Sequence, residues 1–189
     1  MNDLQNVLER VVSALERSGV PFMIAGSFAS AAHGLPRATQ DLDIVIDPKD
    51  EGAVTALLDL FPEDAYYVDE EAALDAFRRR SMFNIVDQAS GWKIDLIIRK
   101  NRPFSLSEFQ RRLPLTLLTV PVRVASAEDT IVAKLEWSAQ SGGSERQRRD
   151  VSGILATVGG TLDRDYISRW IDELGLRDEW EAAQKTASG

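Results

Sequence analysis

Apolar residues at the start of the chain recur at helical spacing. Leu4, Val7, Leu8, Val11, Val12 and Leu15 mark one face of a helix, with Asn2 or Asp3 as its cap and Gly19 as its stop. The period then changes. A short apolar run, Phe22 to Ala25, lies between Pro21 and the Gly26-Ser27 pair and reads as a buried strand feeding a tight turn. A small-residue helix from Ser27 to His33 follows, with Gly34 expected as its C′ residue. A second strand carries Asp41-Leu42-Asp43-Ile44-Val45-Ile46. Asp50 to Leu60 reads as a helix ended by Pro62, and Glu70 to Arg80 as another, acidic at its start and basic at its end. Ser81 to Asp87 and Trp92 to Ile98 alternate as the arms of a β-hairpin.

After Pro103 the pattern predicts a short helix, Ser105 to Arg112, and one or two strands around Pro121 between Leu115 and Val124. From Ser126 onward it is helical. Ile131, Val132, Leu135 and Ala139 form one face, and Ser141-Gly142-Gly143 breaks it. Ser144 and Gln147 match a capping box ahead of Val151, Ile154, Leu155 and Val158. Asp163 caps a third helix that ends at Gly175. Leu176 to Gln184 adds a last short turn, with Lys185 to Gly189 frayed. The expectation is an α/β (α+β) fold: a small mixed sheet flanked by helices over 1–125, then a helical region over 126–189.

Composition narrows the classes. The 189 residues are 44% apolar and 28% charged, ordinary for a globular protein that can bury one full core. Without cysteine there is neither a disulfide framework nor a thiolate metal site. No signal-peptide pattern and no apolar run of membrane-spanning length is visible, so a cytoplasmic location without a membrane partner is expected.

A net charge of −8 disfavours a protein that coats nucleic acid. Yet Arg78 to Arg112 holds nine Lys or Arg against three acids, a local +6 that leaves −14 for the remainder. This window is either a set of solvated turns and helix ends or a positive field suited to a triphosphate or an RNA end.

The chemistry concentrates between Phe22 and Asp47. Alternation puts Asp41 and Asp43 on one face of their strand and Leu42, Ile44 and Ile46 on the other. Two carboxylates on an otherwise apolar strand need neutralising, and Mg²⁺ with oxygen ligands does this, with Mn²⁺ as the alternative. Gly26-Ser27 stands where the N–H groups of a helix start can hold a phosphate. Asp95 adds a third strand carboxylate, with Lys93 on the same face. Asp47 and Asp87 read as turn residues and His33 as structural. Arg37, in the loop before Asp41, is either a surface residue or a phosphate contact.

Gly-Ser opening a helix, Asp-x-Asp on the next strand and a later strand Asp together resemble the polymerase-β-type nucleotidyltransferase superfamily. Two further stretches, Ser126-Ala127-Glu128-Asp129 through Lys134 and Glu145-Arg146-Gln147-Arg148-Arg149-Asp150, are similar to the C-terminal half of the AbiEii-like abortive-infection nucleotidyltransferases, a group that includes toxins of toxin–antitoxin pairs. The resemblance implies catalytic and metal-binding roles for Asp41, Asp43 and Asp95. It implies nucleotide binding by Gly26, Ser27, Arg37, Lys134 and Asp150, with Arg146 or Arg149 as a further candidate. The implied reaction moves a nucleotide from an NTP, such as ATP, to an acceptor hydroxyl: an RNA or tRNA 3′ end first, a protein second, with a cognate antitoxin as a further partner.

Two departures stand out. Ala25-Gly26 replaces the family's frequent Gly-Gly, and an Arg common soon after Gly-Ser is absent. Residue chemistry alone also admits a structural role for Lys134 and Asp150, since a lysine at the edge of an apolar face often snorkels to water. A metal-dependent glycosyltransferase, a catalytically silent nucleotide-binding or antitoxin-type module, and a structural protein are the competing classes.

Overall fold

The computed structural model describes residues 3–187, and in the last of these only the backbone. The Asn2 alternative for the first cap and the end of the frayed tail, Ser188 and Gly189, lie outside the described residues. Packing divides the chain into two units. The first comprises residues 1–25 and 39–124; the second comprises 26–38 and 125–189. The segment 26–38 thus packs with the C-terminal helices, although in sequence it interrupts the first unit.

The first unit is built on a seven-stranded mixed sheet. Its strands are β1 (Phe22–Ile24), β2 (Asp41–Ile46), β3 (Tyr66–Val68), β4 (Met82–Asp87), β5 (Lys93–Ile98), β6 (Leu113–Leu117) and β7 (Val120–Val124), in the order β3-β4-β5-β2-β1-β7-β6. Four of its helices are α1 (Asp3–Ser18), α3 (Glu51–Leu58), α4 (Glu70–Arg79) and α5 (Pro103–Gln110).

One face of the sheet is the core. Ile44 and Ile46 of β2, Ile94 and Leu96 of β5, and Phe83 and Ile85 of β4 are buried there, with Val7, Leu8, Val11 and Leu15 of α1 also fully enclosed. Asp50 and Asp69 cap α3 and α4 by accepting from Ala53 N and Ala72 N. Helix α5 starts two residues earlier than the pattern predicts, because Pro103 is suited to a first helical position. The single strand or pair expected around Pro121 is a β6–β7 hairpin, turned by Leu118 and Thr119 at φ 48° and 78°.

The second unit contains α2 (Gly26–His33), α6 (Ala127–Gln140), α7 (Glu145–Val158), α8 (Arg164–Glu173) and α9 (Arg177–Ala187). Ser126, Ser144 and Asp163 cap α6, α7 and α8, the last two as their sequence positions predict. Gly34 follows α2, but its φ is not in the left-handed region. A Cβ there would stand 2.8 Å from the Ile154 backbone N, so the glycine serves a close approach to α7 rather than a helix stop. The last turn expected over 176–184 is a full helix, α9. Trp180 and Ala183 are buried, and Glu179 holds Arg148 at 2.7 Å and accepts from Ser138 Oγ at 2.7 Å. Those tertiary contacts hold a segment with few large apolar residues, and Lys185 to Ala187 are helical with it.

Candidate active site

In the first unit the sheet face opposite the core carries the carboxylates. β2 and β5 are parallel neighbours in a register that sets Asp41 beside Lys93 and Asp43 beside Asp95. Alternation from these pairs gives one polar face with Asp41, Asp43, Lys93 and Asp95, while Leu42, Ile44, Ile94 and Leu96 fill the other. Antiparallel β4 adds Asn84 directly opposite Asp95. The backbone of β2 is fixed at its other edge as well, where Ala25 N donates to Asp43 O at 2.9 Å.

Asp95 is 6% exposed. Lys93 Nζ lies 2.9 Å from its Oδ1 and 3.0 Å from its Oδ2, with hydrogen-bond geometry to Oδ2. Oδ1 is buried and accepts no hydrogen bond. The Asp95 hydrogen bond, together with the charges of Asp95, Asp41 and Asp43, raises the Lys93 pKa against the opposing effect of burial.

The donor set suits Mg²⁺ or Mn²⁺: every side chain offered is a carboxylate, and a buried oxygen without a hydrogen bond is an atom a cation can satisfy. As the side chains stand, no three His, Cys, Asp or Glu among the described residues gather in a metal-binding group. The third carboxylate is turned to the ammonium of Lys93 instead.

The other two acids singled out in sequence are structural. Asp87 is 2% exposed, pairs with Arg10, and accepts from Ala89 N and Ser90 N. Asp47 pairs with Arg99 at 2.9 Å. Within the basic window, Arg78 pairs with Glu51 at 2.9 Å and Arg79 with Asp75 at 3.0 Å, while Arg80 donates to Arg99 O.

The second unit gathers the remaining candidates. Gly26 starts α2 at φ +56°, a conformation glycine adopts without a steric penalty. Ser27 follows it, 7% exposed, and its Oγ accepts from Arg37 Nη2. Arg37 Nε also donates to Asp150 Oδ1 at 3.0 Å, and Lys134 Nζ stands 2.7 Å from Asp150 Oδ2. Lys134 is not a snorkelling lysine: its residue is 5% exposed, and Nζ donates to Gln147 Oε1 at 2.9 Å.

Burial opposes ionisation of Asp150, but hydrogen bonds from Arg37 and Lys134 outweigh it and hold the carboxyl below its ordinary range. The cluster therefore places two cations around one anion beside a helix start, an arrangement with net positive charge next to the N–H groups that hold anions. Arg37, from the loop after α2, supplies a guanidinium to Ser27 where the expected early Arg is missing. Gln147 is the member that sequence reasoning did not assign to the site, although its capping-box position was visible. Arg146 and Arg149 are exposed, and Arg149 pairs with Glu145. His33 Nε2 is 2.7 Å from Ala125 O, as a structural histidine should be.

No protein-family model matches the chain, and no curated protein matches it in sequence. Solved structures do. The antibiotic-resistance factor ANT(2'')-Ia in solution superposes with a TM-score of 0.57 at 13% identity, covering 97% of this chain and 96% of that one. The crystal structure of ANT(2'')-Ia with adenylyl-2''-tobramycin gives 0.59 at 12% identity, over 93% and 99%. An antigenic nucleotidyltransferase-like protein from Paracoccidioides brasiliensis gives 0.53 at 18%, over 97% and 92%. At these identities the likeness is one of architecture, and the chain has the nucleotidyltransferase fold.

Proposed function

We propose that this protein is a Mg²⁺-dependent nucleotidyltransferase that moves a nucleoside monophosphate from an NTP to an acceptor hydroxyl. The observation that carries the reading is the β2–β5 register, in which Asp43 neighbours Asp95 with Asp41 on the same face. Asp41, Asp43 and Asp95 would hold Mg²⁺, or Mn²⁺ in its place. When bound, the metal offsets the negative charge that develops on the transferring phosphoryl group. Asp95 also takes the proton of the attacking hydroxyl. The acceptor oxygen bonds to the α-phosphorus, the bond from that phosphorus to the bridging oxygen breaks, and pyrophosphate leaves with the electron pair. Ser27 and the N–H groups that follow Gly26 grip phosphate oxygens, with Arg37 and Lys134 supplying positive charge and Asp150 fixing both cations.

An RNA 3′ end, tRNA foremost, is the acceptor that the basic segment supports, with a protein hydroxyl as the alternative. A second reading, a small polyhydroxylated acceptor, is favoured by the likeness to ANT(2'')-Ia, which was solved with adenylyl-2''-tobramycin. The resemblance to AbiEii-like proteins adds a role as the toxin of a pair with a cognate antitoxin. In that case expression should arrest growth, and Asp43→Ala should relieve the arrest.

The test is thermal unfolding with and without Mg²⁺–ATP, run beside label transfer from radioactive NTP. A ligand at 100 times its Kd stabilises the native state by about 2.7 kcal/mol, so the midpoint should rise in the wild type and not in Asp43→Ala. Equal Mg²⁺–NTP affinity in both proteins overturns the metal assignment. Binding without transfer to any acceptor in a cell extract would make the protein a silent nucleotide-binding module.

A further inference from the structure

Resting on the reading of this face as a metal site, we propose that Lys93 is the site's own removable counterion. Its ammonium closes on Asp95 in the metal-free protein and gives way when Asp41, Asp43 and Asp95 take up the divalent cation.

The register argues for this first. Lys93 is two residues before Asp95 on β5 and directly beside Asp41 of β2, so its side chain rises among all three carboxylates. Burial argues for it next. Asp95 is nearly enclosed, and an ionised carboxylate in that state needs a partner. Lys93 is that partner, at 2.9 and 3.0 Å.

The pair is asymmetric. The Asp95 side chain is 8% exposed and the Lys93 side chain 40%. A point charge on a flexible four-carbon stem can swing its ammonium into water while the carboxylate stays in place. Asp95 also keeps one buried oxygen without a hydrogen bond, so the lysine leaves part of its acceptor capacity unused.

A carboxylate held for structure looks different. Asp87, on the neighbouring strand, takes a guanidinium and two backbone N–H groups from a turn that cannot leave without unfolding. Charge points the same way. One ammonium stands among three carboxylates there, fewer positive charges than the carboxylates around it.

The chain has five lysines, few enough to follow singly. Reductive ¹³C-dimethylation keeps their charge and gives each an NMR resonance, and Lys93→Arg identifies the one from Lys93. Titration with Mg²⁺ alone should move that resonance in the wild type and leave it in place in Asp43→Ala, with Mg²⁺ uptake followed by calorimetry. Uptake of Mg²⁺ with an unmoved Lys93 resonance overturns the proposal and leaves the metal site standing. No uptake, with or without ATP, overturns the metal site and this proposal with it. As a second measurement, Lys93→Met should bind Mn²⁺ more tightly by about three- to fivefold, the scale of competition from a partly exposed ion pair, while its metal-free unfolding midpoint falls. Unchanged or weaker Mn²⁺ binding in a folded Lys93→Met overturns it as well.

Discussion

Asp87 and Asp95 lie on adjacent antiparallel strands, are almost equally enclosed, and are held in opposite ways. Asp87 is an anchor for a turn and for Arg10. Replacing it with Ala removes the acceptor from two N–H groups and leaves the half-exposed Arg10 guanidinium only Tyr66 Oη, at an expected cost of about 1–3 kcal/mol in urea unfolding. Asp95 is held by one half-exposed lysine side chain rather than by backbone, so Asp95→Asn should fold normally. If Asp95 takes the proton of the acceptor, the same change should lower single-turnover transfer by about 10²–10⁴-fold while NTP binding falls little. Equal losses in binding and transfer would make Asp95 merely another nucleotide ligand. Parity set Asp41 and Asp43 on one face, but Asp47 shares that parity, and only its place before Pro48, like that of Asp87 beside the hairpin turn, marked it as a turn acid. What parity lacked was the inter-strand register that makes Asp43 and Asp95 neighbours, because pairing between β2 and β5 depends on residues some fifty positions apart.

At the scale of elements, the segment that follows α2 lies close against α7 at two glycines. Gly34 faces Ile154 N, and Gly153 of α7 faces Leu35 in return. Gly34→Ala forces these segments apart and should cost about 1–3 kcal/mol, as overpacking does, with an unchanged urea m-value.

Asp150 ties α7 both to the loop after α2 and to α6, because its carboxyl holds Arg37 and Lys134. Asp150→Ala strands two cations, one of them nearly buried, and should destabilise by about 3 kcal/mol. Because the folded-state pKa of Asp150 is depressed, the native protein binds fewer protons there than the unfolded chain does. Its contribution is complete above the ordinary carboxylate range, near pH 4, and is lost as pH falls below that toward the folded-state value. Asp150→Asn should therefore show a shallower loss of thermal midpoint with acid below about pH 4. An unaltered slope would mean that the carboxyl is not held down by its partners. The link from Arg37 to Asp150 spans 113 positions and left no periodic trace in the sequence. β3 was invisible for a different reason: three residues at a sheet edge are too few to establish alternation. α9 was under-read because Trp180 is its only large apolar residue, and its polar contacts run to Arg148 and Ser138, far off in sequence.

For the whole molecule, the −8 net charge sets the terms on which an anionic acceptor could approach. The +6 of the basic window overstates its field, since Arg78, Arg79 and Arg99 are matched by Glu51, Asp75 and Asp47. Capture of single-stranded RNA should consequently show a shallow salt dependence, about −0.7 in the logarithmic slope for each phosphate contact, with few contacts. Reversing Arg78 to Arg80 should lower transfer to RNA only if those arginines exchange their acidic partners for phosphates. A steep slope that survives the reversal would move the RNA contact elsewhere, and label that survives RNase but not protease would move the acceptor to a protein.

The division of the chain also has a consequence in time. The segment 26–38 is made early, between β1 and β2, yet the helices it packs with begin only after residue 125. At the usual pace of translation the ribosome needs roughly 5–20 seconds to supply them. During that wait β1 and β2 can pair, while Gly26, Ser27 and Arg37 have neither Lys134 nor Asp150 to join. The groups proposed to grip phosphate therefore mature last, so a nascent or truncated chain that ends near Val124 would carry the carboxylates without them.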